Sequence, residues 1–266
     1  MSNIRTPFFY DLSEILYAAA GRRKIYGVLR VIAEFGVELQ RMDRDIRFVV
    51  WSPGHRSFFE VDADFSRLYD SACIDIGVPA NAAPRPLRSV FHRHLLARQL
   101  AYGLAAPVVR AINRSRWRQA GVMAARIDLA GATLFSAARP KFIVEYLQTL
   151  QASGTRLVAM LHDLIPMHED PQSPRYVNFS GDTAAVMEAS AGVLANSEFT
   201  RDEVLRFAAR GRLPLPKSIT AVPLAHEFRA PDSGTSPAVP AGPYLLCVGA
   251  ALGHKNIEVV FDALAL

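Results

Sequence analysis

From Gly27 onward the apolar residues Val28, Val31, Ile32, Phe35 and Leu39 return every three or four positions, the interval of an amphipathic helix. Ahead of it, residues 4–12 contain a plausible opening strand, and a loop ending in Gly21-Arg22-Arg23-Lys24 joins the two. Compact apolar runs then follow at 47–52, 132–137, 156–161, 192–196 and 218–223. Each has the length of a buried strand, and Pro53-Gly54 marks the exit of the first. Helical stretches are predicted between them at 141–152, 184–190 and 200–210. In the last, Thr200 is placed as N-cap, with Asp202 and Glu203 in the first turn favouring the helix dipole. Strands that are apolar throughout and alternate with helices need cover on both faces. The pattern therefore predicts an α/β fold, a doubly wound, Rossmann-like parallel sheet over residues 1–228.

The character changes at 229–243, where Pro231, Ser233, Gly234, Ser236, Pro237, Pro240, Gly242 and Pro243 read as a linker. Residues 244–248 restart the strand pattern, 249–255 form a loop, and Ile257, Val260, Phe261 and Leu264 stripe a helix. One strand and one helix lack a second layer to bury that stripe. Residues 244–266 are therefore expected to open a second, truncated α/β domain.

Composition narrows the classes. The chain has 266 residues, half of them hydrophobic, enough for a large core and against disorder. A net charge of +5 and a pI near 9.4 favour anionic partners. Cys73 and Cys247 are too few for a disulfide framework and wrongly spaced for a metal site, which suits a cytoplasmic location. Asp11 and Glu14 interrupt the N-terminal apolar stretches, unlike a signal peptide, and no apolar run reaches the length of a bilayer span.

The segment 78–127 contains no Asp or Glu, yet carries Arg85, Arg88, Arg93, Arg98, Arg110, Arg114, Arg116, Arg118 and Arg126. Leu87, Val90, Phe91, Leu95 and Leu96 share a first helix with these arginines, and Pro107 is expected to start a second. The plain reading is a solvated basic face. The sharper one is a membrane-surface patch built on Arg85, Arg88, Arg93 and Arg98, at the inner face of the plasma membrane. No nucleic-acid-binding motif accompanies the charge. His92 and His94, two apart on a helix, point to opposite sides and cannot chelate together, and His168 lacks companions as a ligand. The G-x-S-x-G elbow of a serine hydrolase is missing.

Candidate chemistry gathers where strands end, because open α/β sheets bind ligands outside the carboxyl ends of their strands. His162-Asp163 follows the run 156–161 and Ser197 follows 192–196, so both project into that crevice. A helix starting near Thr200 aims free N–H groups at the same place.

Five segments together resemble family-4 glycosyltransferases, particularly bacterial mannosyltransferase-like enzymes of surface-polysaccharide assembly. Tyr26-Gly27-Val28-Leu29-Arg30-Val31 looks like the family's glycine-led first helix. Leu161-His162-Asp163-Leu164-Ile165-Pro166 is similar to its strand-end HD-x-x-P motif, and Ala195-Asn196-Ser197-Glu198-Phe199-Thr200 to its strand-to-helix turn. Val222-Pro223-Leu224, and Cys247-Val248-Gly249 with Lys255-Asn256, complete the order. The resemblance implies the acceptor-binding half of a two-domain GT-B enzyme that transfers sugar from a nucleotide-activated donor, with GDP-mannose as one candidate. The acceptor would be a glycan or lipid-linked, transfer would retain anomeric configuration, and neither cofactor nor metal is expected. It implies that His162 bonds donor sugar or acceptor, with Asp163 orienting it or the acceptor. Gly27, Ser197, Gly249 and Lys255 would serve the donor and its diphosphate.

The chain departs from the family at several points. Ala18-Ala19-Ala20-Gly21-Arg22-Arg23-Lys24 replaces the glycine-rich loop, His254 the usual arginine, and Ala225 a glycine. The family's paired glutamates are expected beyond Leu266. Two alternatives therefore stand: a non-catalytic acceptor- or membrane-binding protein, and a sugar-nucleotide epimerase of the same architecture.

Overall fold

The computed structural model describes residues 6–19, 27–42, 45–68, 74–85, 96–224, 242–245 and 257–264. The chain divides into two compact units, Met1–Arg229 and Ala230–Leu266.

The first unit is built on an eight-stranded sheet. Its strands are β1 (Phe8–Asp11), β2 (Ile46–Ser52), β3 (Ser57–Val61), β4 (Arg126–Ile127), β5 (Thr133–Ser136), β6 (Arg156–Leu161), β7 (Ser190–Ala195) and β8 (Ile219–Ala221). Their order across the sheet is β4-β3-β2-β1-β5-β6-β7-β8. From β2 across to β8 neighbours are parallel, whereas β3 runs antiparallel to β2 and β4 antiparallel to β3. Flanking helices are α1 (Ser13–Ala19), α2 (Val28–Arg41), α3 (Leu96–Gln119), α4 (Pro140–Ile143), α5 (Leu147–Ser153), α6 (Pro174–Ala189) and α7 (Glu198–Ala209). This is the expected Rossmann-like α/β architecture.

The chain moves from β1 outward to β2, then returns to lay β5 on the other flank of β1. The topology thus switches direction between β1 and β5, where such sheets open a crevice at the strand ends. Tyr10 fills the middle of β1 and is fully buried, paired in register with Phe48 and Phe135. Its hydroxyl donates to the Ile32 carbonyl of α2 at 2.8 Å, which removes the cost of burying it. A second apolar cluster, around Leu164, Met167, Val204 and Phe207, packs beneath α6 and α7.

Several sequence expectations need correction. The stretch after β1 is not a loop throughout: Ser13–Ala19 is α1, while residues 20–26 lie outside the described ones. The helix expected at 141–152 is two short helices, α4 and α5, broken at Tyr146, whose ring is drawn into the core. The one expected at 184–190 extends back to Pro174, where Ser173 caps it by accepting from the Tyr176 amide. The cap of α7 is Ser197 and not Thr200. Strands β3 and β4 add to the runs that the apolar pattern predicts.

Pro107 does not start a helix but lies inside α3. A proline there removes one backbone bond and crowds the carbonyl four residues back. That carbonyl belongs to Gly103, and both residues are exposed, so water can take the missing donor's place. In the second unit the described helix is α8 (Ile257–Leu264). Tyr244 and Leu245 belong to no element, and the remainder of the expected strand and most of the linker lie outside the described residues.

Candidate functional site

Three parallel strands, β1, β5 and β6, end side by side around the switch point, and the residues just past each end build the site. After β1 come Ser13 and Glu14 at the start of α1; after β5 come Ala137 and Arg139; after β6 come His162 and Asp163.

The floor is a buried polar network. Asp11 has no exposed surface, and its carboxylate accepts four hydrogen bonds. Oδ1 takes the Ser13 amide at 2.9 Å and its hydroxyl at 2.5 Å. Oδ2 takes the Ser136 hydroxyl at 2.7 Å and the Tyr146 hydroxyl at 2.5 Å. The Ser13 hydroxyl in turn accepts from the Trp51 amide at 2.8 Å, which brings in the end of β2. Burial, then the Asp11 charge, push the Tyr146 phenol far above its ordinary pKa, so it stays a donor.

Above this floor Glu14, only 1% exposed, accepts from the Arg139 amide at 2.7 Å and from its Nε at 2.6 Å. The Arg139 side chain is about half exposed while it holds Glu14. The Tyr17 hydroxyl, one turn further along α1, donates to Glu145.

His162 Nε2 lies 2.6 Å from the Ala137 carbonyl. A carbonyl can only accept, so Nε2 carries the proton. Burial lowers the ring's pKa below its ordinary value, against the opposing pull of the Ala137 carbonyl, Glu14 and Asp163. At neutral pH the ring is therefore uncharged, and Nδ1 keeps its lone pair. No hydrogen bond to Nδ1 occurs among the described residues. His162 is thus a fixed neutral base or acceptor at the strand end. Asp163 does not hold the ring: it is exposed, and its Oδ1 accepts the Ile165 amide at 3.1 Å.

The turn after β7 is locked from within. The Ser197 hydroxyl accepts the Thr200 amide at 3.1 Å and lies 3.0 Å from the Thr200 hydroxyl. The latter lies 2.8 Å from Asn196 Oδ1 and 3.4 Å from the His162 carbonyl, tying this turn to the one after β6. Ser197 is therefore engaged as a helix cap. Phe199 beside it is 66% exposed, with Arg206 stacked 5.6 Å from its ring centre.

Gly27 caps α2, whose start faces the same edge because its end leads into β2. Its φ of 57° and ψ of −131° suit glycine alone, and the space where a Cβ would stand is open. Conformation, not packing, requires this glycine.

Gly249, Lys255, Arg88, Arg93, His92 and His94 lie outside the described residues. Arg98 belongs to α3, and Arg85 is exposed, its amide donating to Asn113 Oδ1 at 2.9 Å. The structure brings His162, Asp163, Ser197 and Gly27 to one edge of the sheet. Sequence reasoning missed Asp11, Glu14, Arg139, Tyr146 and Phe199. The available signal was two carboxylates, Asp11 and Glu14, breaking an apolar N-terminal stretch.

Among the described residues no three His, Cys, Asp or Glu side chains gather as metal ligands, and no helix is long and apolar enough to cross a membrane. Comparison of the chain with models of protein families, with curated proteins and with solved structures finds no match in any of the three.

Proposed function

We propose that this chain supplies the acceptor-side domain of a retaining glycosyltransferase that uses a nucleotide-activated sugar, in the assembly of a surface polysaccharide. The observation carrying this reading is His162: a neutral imidazole at the end of β6, its proton committed to Ala137 and Nδ1 available. Nδ1 can accept a hydrogen bond from a sugar hydroxyl, which fits a polar, hydroxyl-rich substrate better than a charged one.

The surroundings fit the same chemistry. The half-exposed Arg139 and the starts of α2 and α7 bring positive potential to the strand ends, where charge develops on a leaving diphosphate. Phe199 offers an aromatic face at the rim for a sugar ring. Gly249 and Lys255 would contribute from the donor side. With two cysteines and no disulfide framework, we assign the enzyme to the cytoplasm.

The test is to incubate the full-length protein with labelled nucleotide sugars, with and without a lipid-linked or glycan acceptor. Release of nucleotide that depends on acceptor supports the reading. Conversion of the nucleotide sugar without acceptor replaces it with an epimerase, and no turnover with any donor leaves acceptor binding as the function.

A further inference from the structure

Helix α3 (Leu96–Gln119) is held against the sheet through its C-terminal part. Near its C-terminus Trp117 is buried, stacked 5.0 Å from Phe59, and Asn113 is buried, bonded to the backbone of Arg85. Gly54 in the β2–β3 turn lets the helix close in: a Cβ there would stand 2.8 Å from the Arg114 amide nitrogen. Upstream the picture reverses. Leu96 is 76% exposed, Leu100 70%, Leu104 81% and Val108 60%. Tyr102, Ala111 and Ile112 are exposed as well.

This exposed half carries no charge between Gln99 and Val109, a stretch of about 16 Å at helical rise. A solvated helix normally surrounds its apolar stripe with charged residues. Here the charges stand at the ends: Arg98 before the stretch, then Arg110, Arg114 and Arg118 after it. All are positive, in a segment, 78–127, without a single carboxylate. Among the described residues none of Arg110, Arg114 and Arg118 forms an ion pair.

We propose that the half of α3 from Leu96 to Ile112 docks on an anionic lipid surface, lying in the interface with Leu96, Leu100, Leu104 and Val108 immersed and the arginines among the headgroups. Apolar insertion with flanking cations is the physics of an interfacial helix, and the stretch is too short to span. The sign of the charge selects the partner. A second copy of this chain would bring the same acid-free arginine-rich helix, and like charges would oppose it. The proposal concerns surface binding alone and holds whether or not the chain transfers sugar.

The test is co-sedimentation of the full chain with vesicles of phosphatidylcholine alone, or with about one third phosphatidylglycerol. Binding to the anionic vesicles is expected to be tenfold or more tighter, on the order of what two or three basic residues supply, and to weaken with salt. Leu100→Asp/Leu104→Asp should abolish it while leaving circular dichroism unchanged, since both sites are exposed. As a second readout, the indole introduced by Leu104→Trp should shift its fluorescence to the blue on anionic vesicles only. Equal partition into both vesicles, absence of binding, or an indole signal indifferent to lipid overturns the proposal. So does self-association that Leu104→Asp removes in the absence of lipid, because the face then belongs to a second copy.

Discussion

The Tyr146 hydroxyl donates to Asp11 Oδ2 across 135 residues of sequence, and joins the end of β1 to the break between α4 and α5. The pair sits at the switch point of the sheet, where an empty crevice would otherwise reach into the core. Both residues are buried beneath the strand ends that carry His162 and Arg139.

Tyr146→Phe should destabilise the protein by about 1.5–3 kcal/mol, the worth of one hydrogen bond to a charged group. Asp11→Ala should cost about 3 kcal/mol or more, since it leaves Ser13, Ser136 and Tyr146 without their acceptor. Urea unfolding measures both. Changes within about 0.5 kcal/mol would contradict the role of the network.

Glu14 depends on Arg139. Arg139→Met should cost about 1–3 kcal/mol, a range discounted because the guanidinium is partly exposed. Adding Glu14→Gln should recover part of that loss, because the lone buried charge disappears while the Arg139 amide keeps an acceptor. Strict additivity in the double-mutant cycle would show that the two do not act together.

How much of this was legible beforehand varied with the range of the contact. β2, β5 and β6 were readable because strands buried on both faces are apolar throughout. β3 was not: five residues after a tight turn, with Glu60 paired to Arg47 across the strands, lack the isolated apolar run of a central strand. α1 was hidden because its carboxylate, Glu14, looked like a solvated loop residue and is in fact buried against a partner 125 residues away. His162 and Ser197 could be placed at strand ends from sequence. The partner that fixes His162, the Ala137 carbonyl, is backbone and has no sequence signature.

Gly54→Ala should loosen α3, because the new methyl meets the Arg114 backbone, which cannot yield as a side chain would. We expect about 1–3 kcal/mol of destabilisation by crowding. Faster amide exchange around Asn113 and Trp117 should accompany it. An unchanged exchange pattern there would speak against this close approach.

The His162 ring is neutral because burial lowers its pKa. Its folded value lies below the roughly 6.5 of an unfolded histidine, so the unfolded chain takes up the proton first as pH falls. Its contribution to stability is then complete above about pH 6.5 and is lost progressively on acidification through the folded value. The acid limb of any rate that uses Nδ1 should likewise fall below about pH 6.5. A chemical-shift titration of the His162 ring reads the value directly, and a midpoint above about 6.5 would contradict the neutral assignment.

The most direct test of the account is the rate of sugar transfer by the full-length protein with His162 replaced by alanine. If Nδ1 of His162 engages substrate in the crevice, the rate should fall by about a hundredfold or more while the unfolding midpoint moves little. Near-normal turnover in a folded His162→Ala variant would contradict it, and the strand-end site would then have to be sought elsewhere in the chain.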